Sequence, residues 1–350
     1  MMVHASWRDV PCRSARNENR QGATRLTDPI NRRGALLAAI AGSAAALRRP
    51  ALGQTATTRI VVPYTPGGTT DVTARLISPR ASERLGQTWV IENRSGANGA
   101  IGAEVVARSM PNGQTLLYSN EVLLVLRFVQ RGVPFEVIGD FTPVARTVSI
   151  PYALVGSPRH VREPDVAGLM AAIRRSPSSF GFAGSTLGSV GHLGAAALGQ
   201  KIGAELLIVP YRGTAPAVND LLAGSIQLMF APLGAVMPLI RDGQLKAFAM
   251  TSERRLSLMS EVPTLVDAGF PELVFEGWTG IWGPANLPSE IVARVHQAAT
   301  GAANEPEVAG RIRELGCEPL RENPSQFAQV IEREAARNAA IVAASGIKPE

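Results

Sequence analysis

The chain has 350 residues, enough for two domains of ordinary size. With 45% apolar and 18% charged residues it has a globular composition, which excludes a disordered, collagen-like or disulfide-built chain. The formal charge of +6 sits wholly in residues 1–53, where nine Arg face three acids (Asp9, Glu18, Asp28). The remainder balances 26 basic against 26 acidic side chains, so a nucleic-acid surface has no support.

The leader comes first. Arg32-Arg33 precede an apolar run over 34–47, followed by Arg48-Arg49-Pro50 and small residues over 51–56. A positive flank, a short apolar core and a small-residue exit describe a cleavable export signal. Fourteen residues are too few to span a bilayer, which takes about 20. Paired arginines before a weakly apolar core point to the twin-arginine route, with general secretion as the alternative. The competing reading is a basic amphipathic tail on a cytosolic protein. Cys12 lies in the leader and Cys317 stands alone, so the mature chain, expected to be soluble in the periplasm, has no intrachain disulfide.

Strand-like and helix-like runs then alternate. Residues 59–64 read as a buried strand, broken by Pro66-Gly67-Gly68, with Thr69-Thr70-Asp71 supplying N-cap chemistry for a helix to about 85. Strands at 89–92 and 115–118 flank a helix at 101–108. This βαβαβ order predicts a parallel sheet with crossover helices. A second series has strands at 152–155, 180–183 and 206–211 and helices at 166–175, 192–202 and 215–222, the last capped by Thr214. Segments 226–230, 236–240 and 245–250 continue the alternation. Residues 290–303, 306–315 and 324–344 read as helices.

Two loops carry the chemistry. In Gly67-Gly68-Thr69-Thr70-Asp71 the glycines let a ligand approach the backbone, and the amides of the helix start form an anion site. The P-loop Lys and the dinucleotide fingerprint are both missing, and no cofactor is expected. The bland alternative is a glycine turn before a capped helix. Gly184-Ser185-Thr186-Leu187-Gly188-Ser189-Val190-Gly191-His192 repeats the design in the second series. Two helix starts facing across a cleft would hold a small anion. His192 is read either as structural in the first helical turn or as a ligand contact. The pairing of Ser with His lacks a nucleophile elbow or a placed acid, so no catalytic residue is assigned. Ser119 and Asn120 sit at a strand's carboxyl end, where open α/β sheets bind ligands; a plain turn is the alternative. Trp278 is a pocket wall or a core residue, and Arg212 a ligand or interdomain cation. His160, His192 and His296 lack ligand-like spacing, so no metal is expected.

These residues resemble those of the substrate-binding proteins of tripartite tricarboxylate transporters, the TctC-like or Bordetella uptake gene family. The likeness covers roughly 59–348. It rests on the loop at 60–71, on 90–97 (Val-Ile-Glu-Asn-Arg-Ser-Gly-Ala), on 140–145 and 209–213, and on Glu261-Val262-Pro263-Thr264. The resemblance implies an α/β fold, a type II periplasmic binding protein with two α/β domains around an interdomain cleft. Its domains would be 54–152 plus 277–350 and 153–276, after the 1–53 leader. It implies small carboxylates held by backbone amides, hydroxyls and waters. Family positions carry over to Gly67, Gly68, Thr70, Asp71, Ser119, Gly184, Ser185, Gly188, Ser189 and His192. Four positions depart from the pattern. Thr186 stands where Gly is usual and Gly184 where Ser is common. Arg212 replaces Lys. Ala231 replaces a frequent Asp, which favours a plain carboxylate over an amino acid.

The expectation is therefore a monomeric extracytoplasmic receptor that captures a small carboxylate for the membrane permease subunits of a tripartite tricarboxylate transporter. It has no nucleic-acid partner. The rivals are a periplasmic sensor feeding a two-component kinase and, behind it, a serine hydrolase using Ser185 or Ser189 with His192.

Overall fold

The computed structural model describes residues 57–347 and 349, except 186 and 212. The export-signal reading, Thr186 and Arg212 therefore lie outside the described residues. The strands are β1 (Thr57–Val62), β2 (Thr88–Asn93), β3 (Thr115–Asn120), β4 (Phe141–Ile150), β5 (Tyr152–Gly156), β6 (Gly181–Gly184), β7 (Leu207–Pro210), β8 (Leu228–Pro232), β9 (Lys246–Met250), β10 (Gly277–Pro284) and β11 (Glu318–Pro319). The α-helices are α1 (Thr69–Leu85), α2 (Ala100–Ala107), α3 (Leu126–Val129), α4 (Val137–Asp140), α5 (Val166–Arg175), α6 (Val190–Ile202), α7 (Thr214–Ala223), α8 (Leu233–Arg241), α9 (Ser289–Ala303), α10 (Pro306–Glu314) and α11 (Pro324–Ser345). None of these is long and apolar enough to cross a membrane.

The strands form two sheets, one per domain. The first has the order β11-β4-β10-β3-β1-β2 and the second β7-β6-β8-β5-β9. Both are mixed, which corrects the all-parallel expectation. β1 pairs in parallel with β2 and β3, but β10 runs antiparallel to β3 and β4. In the second sheet β6 is parallel to β7 and β8, while β5 is antiparallel to β8 and β9. Helix-then-strand alternation along the chain does not reveal the antiparallel returning strands β4 and β10. β1 lies between β3 and β2, and its successive residues Ile60, Val61 and Val62 are all apolar and fully buried, so both faces are covered.

The chain leaves the first sheet at Ile150, enters the second at Tyr152, and returns between Met250 and Gly277. The two crossings lie side by side. Ile150 is in register with Gly277, and the Thr251 hydroxyl donates to the carbonyls of Tyr152 and Phe275. The core of the first domain centres on β4, β10 and α11. There Trp278 and Trp282 pack edge-on against Phe327, with ring centroids 5.2 and 5.1 Å apart. Helix α11 is set by a capping box between Asn323 and Gln326 and by Pro324 in its first turn. From this core it runs on to pack against α6 of the other sheet's domain.

Candidate functional site

The carboxyl ends of the parallel strands β1, β2 and β3 converge, and the first loop rises from β1. Residues 65–69 are exposed, including Gly67, Gly68 and Thr69, whereas Thr70 and Asp71 are buried. Gly67 takes φ +90°, a left-handed conformation that favours glycine. The N-cap of α1 is Gly68, with no side chain capping it, and the first helical hydrogen bond runs from the Val72 amide to the Gly68 carbonyl. Thr69, Thr70 and Asp71 are thus inside the helix, which corrects their expected role as caps. Among the described residues no protein group fills the amides of Gly68, Thr69 and Thr70. They lie at the positive end of a 17-residue helix, Gly68 and Thr69 at the surface and Thr70 just beneath it.

Asp71 holds this loop in shape from below. Its carboxylate accepts from the Gly67 amide (3.0 Å), from Arg75 Nε (3.0 Å) and from Asn93 Nδ2 (2.8 Å). Burial acts to raise the Asp71 pKa, but Arg75, the Gly67 amide and Asn93 outweigh it, leaving the carboxyl below its ordinary value. Its negative charge is therefore turned inward and compensated, not presented to an incoming anion. Asn93 also donates to the Tyr64 carbonyl, tying β2 to the loop. The Tyr64 hydroxyl donates to Asn120 Oδ1 at 2.6 Å and lies 3.3 Å from Ser119 Oγ. Burial, more than the Ser119 contact offsets, pushes the Tyr64 pKa up and keeps the hydroxyl a donor. Ser119 is fully buried beneath it, and Asn120 caps a following 3₁₀ turn through the Val122 amide. Ser119 and Asn120 are thus frame residues. Tyr64 and Asn93 were not singled out in the sequence. Their positions at the ends of adjacent strands were the available signal.

The second loop is differently built. Ser189 caps α6, accepting from the His192 amide at 3.3 Å, and Ser185 Oγ lies 3.2 Å from Ser189 Oγ. His192 Nδ1 accepts from the Gly188 amide at 3.1 Å, so the ring proton sits on Nε2; burial lowers the His192 pKa and keeps the ring neutral. Ser185, Gly188, Ser189 and His192 are all buried. This helix start is therefore capped by its own serine, a correction to the picture of two equally open ends. Gly184 is buried too, with Ile208 and His192 against its open side. The loop is anchored by the Gly184 and Ser185 carbonyls, which accept from the amides of Tyr211 and Gly213.

The second loop meets the first domain at defined points. A Cβ on Gly188, which has φ +80°, would lie 2.8 Å from Val125 and 3.2 Å from Val129 of the first domain. Beside it a cavity of about 10 Å³ is lined by Glu121, Gly188, Val190, Phe275 and Glu334. Glu121 accepts from the Trp278 amide, and Glu334 from the Trp278 indole at 2.9 Å. Trp278 is fully buried in the aromatic core, so it does not wall a pocket. Ala231 is fully buried in the second domain's core opposite Ala153. Thr214 lies within α7, whose N-cap is Gly213, correcting its expected capping role. No cluster of metal-ligating side chains occurs among the described residues.

A family model described as "Tripartite tricarboxylate transporter family receptor" matches residues 73–347. The chain belongs to this family of receptors. Protein BugT of Bordetella pertussis is 32% identical over 292 residues, 83% of this chain and 89% of BugT. Among solved structures, Rhodopseudomonas palustris Rpa4515 with adipate superposes with a TM-score of 0.73 at 33% identity, over 85% of this chain and all of that one. MatC from the same organism, with bound malate, gives 0.69 at 29% identity, over 82% of this chain and 98% of that one. The fold is that of the periplasmic binding proteins of this type, and these are receptors, not enzymes. As a TctC-family solute-binding receptor, this chain has no use for Ser185, Ser189 and His192 as a hydrolytic set.

Proposed function

We propose that this receptor captures a small carboxylate in the periplasm and delivers it to the membrane permease subunits of a tripartite tricarboxylate transporter. The observation that carries the reading is the uncapped, exposed start of α1, its amides presented on a frame fixed by Asp71, Asn93, Tyr64 and Asn120. An anion there gains both hydrogen bonds and the helix field. Adipate and malate in the similar structures support the ligand class. The ligand-contacting set is proposed as the Gly68–Thr70 amides and the Thr69 and Thr70 hydroxyls from one side, with Gly67 giving the ligand close approach. The loop from Gly184 to His192, including Thr186, forms the other. Asp71, Ser119 and Asn120 support from behind. The moving units are 54–152 plus 277–350 and 153–276, and the protein works as a monomer behind the cleavable leader. Closure stores no chemistry; it follows only from tighter binding to the closed form.

Thermal unfolding against a panel of mono-, di- and tricarboxylates tests this. An acid at 100 times its dissociation constant adds about 2.7 kcal/mol of stability. Gly68→Trp removes the shift by covering the helix start. A panel without any shift, or a shift that survives in Gly68→Trp, refutes the assignment.

A further inference from the structure

The segment after β2 has an unusual backbone. Gly96, Ala97, Asn98 and Gly99 have φ of 137°, 46°, 52° and 100°, a run of four positive values. Asn tolerates this region, but Ala adopts it only where packing enforces it. Packing is tight at the glycines beside it. A Cβ on Gly99 would lie 3.1 Å from the Tyr64 ring, and one on Gly102 2.8 Å from the Pro63 backbone. The segment is thus pressed onto the base of the first loop. From there the Asn98 carboxamide reaches out, and its Nδ2 donates to the Leu187 carbonyl of the second loop at 3.3 Å. Leu187 directly precedes Gly188, the residue that abuts Val125 and Val129.

We propose that Asn98 is a positioning residue for ligand retention, a latch holding the second loop over the first. The inference rests on the receptor reading and adds a residue that acts through closure without needing to touch the ligand. The enforced backbone of Ala97 and Asn98 aims one donor at one carbonyl across the domains. Losing it weakens the closed form while the Gly67–Thr70 surface stays intact. Retention therefore falls, whereas capture does not.

The experiment compares the full chain with Asn98→Gly, which suits a positive φ but lacks the carboxamide, and Asn98→Asp, which keeps the shape but cannot donate. Adipate and malate are the probes, with affinity from calorimetry and rates from stopped-flow tryptophan fluorescence. One lost neutral hydrogen bond predicts a dissociation rate about two- to tenfold faster in both variants, with the association rate unchanged within about twofold. Unchanged dissociation in both variants, with the wild type binding, overturns the latch and leaves the receptor reading standing. A slower association with unchanged dissociation also overturns it, because it makes Asn98 part of the entrance. Failure of the wild type to bind either probe or any acid of the panel overturns both readings.

Discussion

Asp71→Asn tests the frame of the first loop. In the wild type three donors, the Gly67 amide, Arg75 Nε and Asn93 Nδ2, converge on the buried carboxylate. A carboxamide has one accepting oxygen, so at least one of these donors faces an N–H group. A hydrogen bond to a charged group contributes about 1.5–3 kcal/mol. Arg75 is half exposed and regains water when its partner is neutralised, so the ion pair itself adds at most about 1 kcal/mol. The expected loss is thus about 2 kcal/mol at pH 7, read as a lower urea midpoint with an unchanged slope. The pH dependence supplies the sign. The folded-state pKa of Asp71 lies below the ordinary value, so its stabilisation is complete above the unfolded pKa and is lost as pH falls through the folded one. The gap between wild type and variant should therefore close in acid. Equal midpoints at pH 7, or a gap of constant size down to pH 2, would refute the reasoning.

Glu121 gives the opposite pH signature. Burial, partly offset by the Trp278 amide and reinforced by Glu334, raises its pKa to about 7. The folded form holds a proton that the unfolded chain releases, so stability from this site falls by up to about 1.4 kcal/mol per pH unit between the ordinary carboxylate range and about 7. Glu121→Gln should flatten that limb of a melting-temperature profile, and an unaltered limb would show the carboxyl to be ionised. Gly188→Ala combines a left-handed backbone with a Cβ 2.8 Å from Val125; a loss of about 2 kcal/mol or more in urea unfolding is expected, and a neutral result would mean that the loop moves freely there.

Much of the architecture was legible in the sequence. Buried apolar runs marked β1, β6 and β8, and the terminal helices followed from composition and spacing. The antiparallel returns β4 and β10 were harder to see. Their partners lie more than a hundred residues away, and strand polarity is decided by tertiary pairing, not by local pattern. The first loop was readable because Gly67-Gly68 and a following helix are a local signal. The inward turn of Asp71 was not, since it depends on Asn93 at the end of another strand. The self-capping of the second helix by Ser189 was available in principle, because Ser at a helix start is a strong cap. The same serine also fits a ligand-binding hydroxyl, and only geometry separates the two. Tyr64 and Trp278 make the same point in opposite directions: one aromatic supports the site and the other belongs to the core.

The account turns on the open start of α1, and the most direct measurement is a crystal structure with the carboxylate that gives the largest thermal shift. The account predicts a carboxylate oxygen within about 3 Å of the backbone nitrogens of Gly68, Thr69 or Thr70. An acid bound with those amides still facing solvent would contradict it.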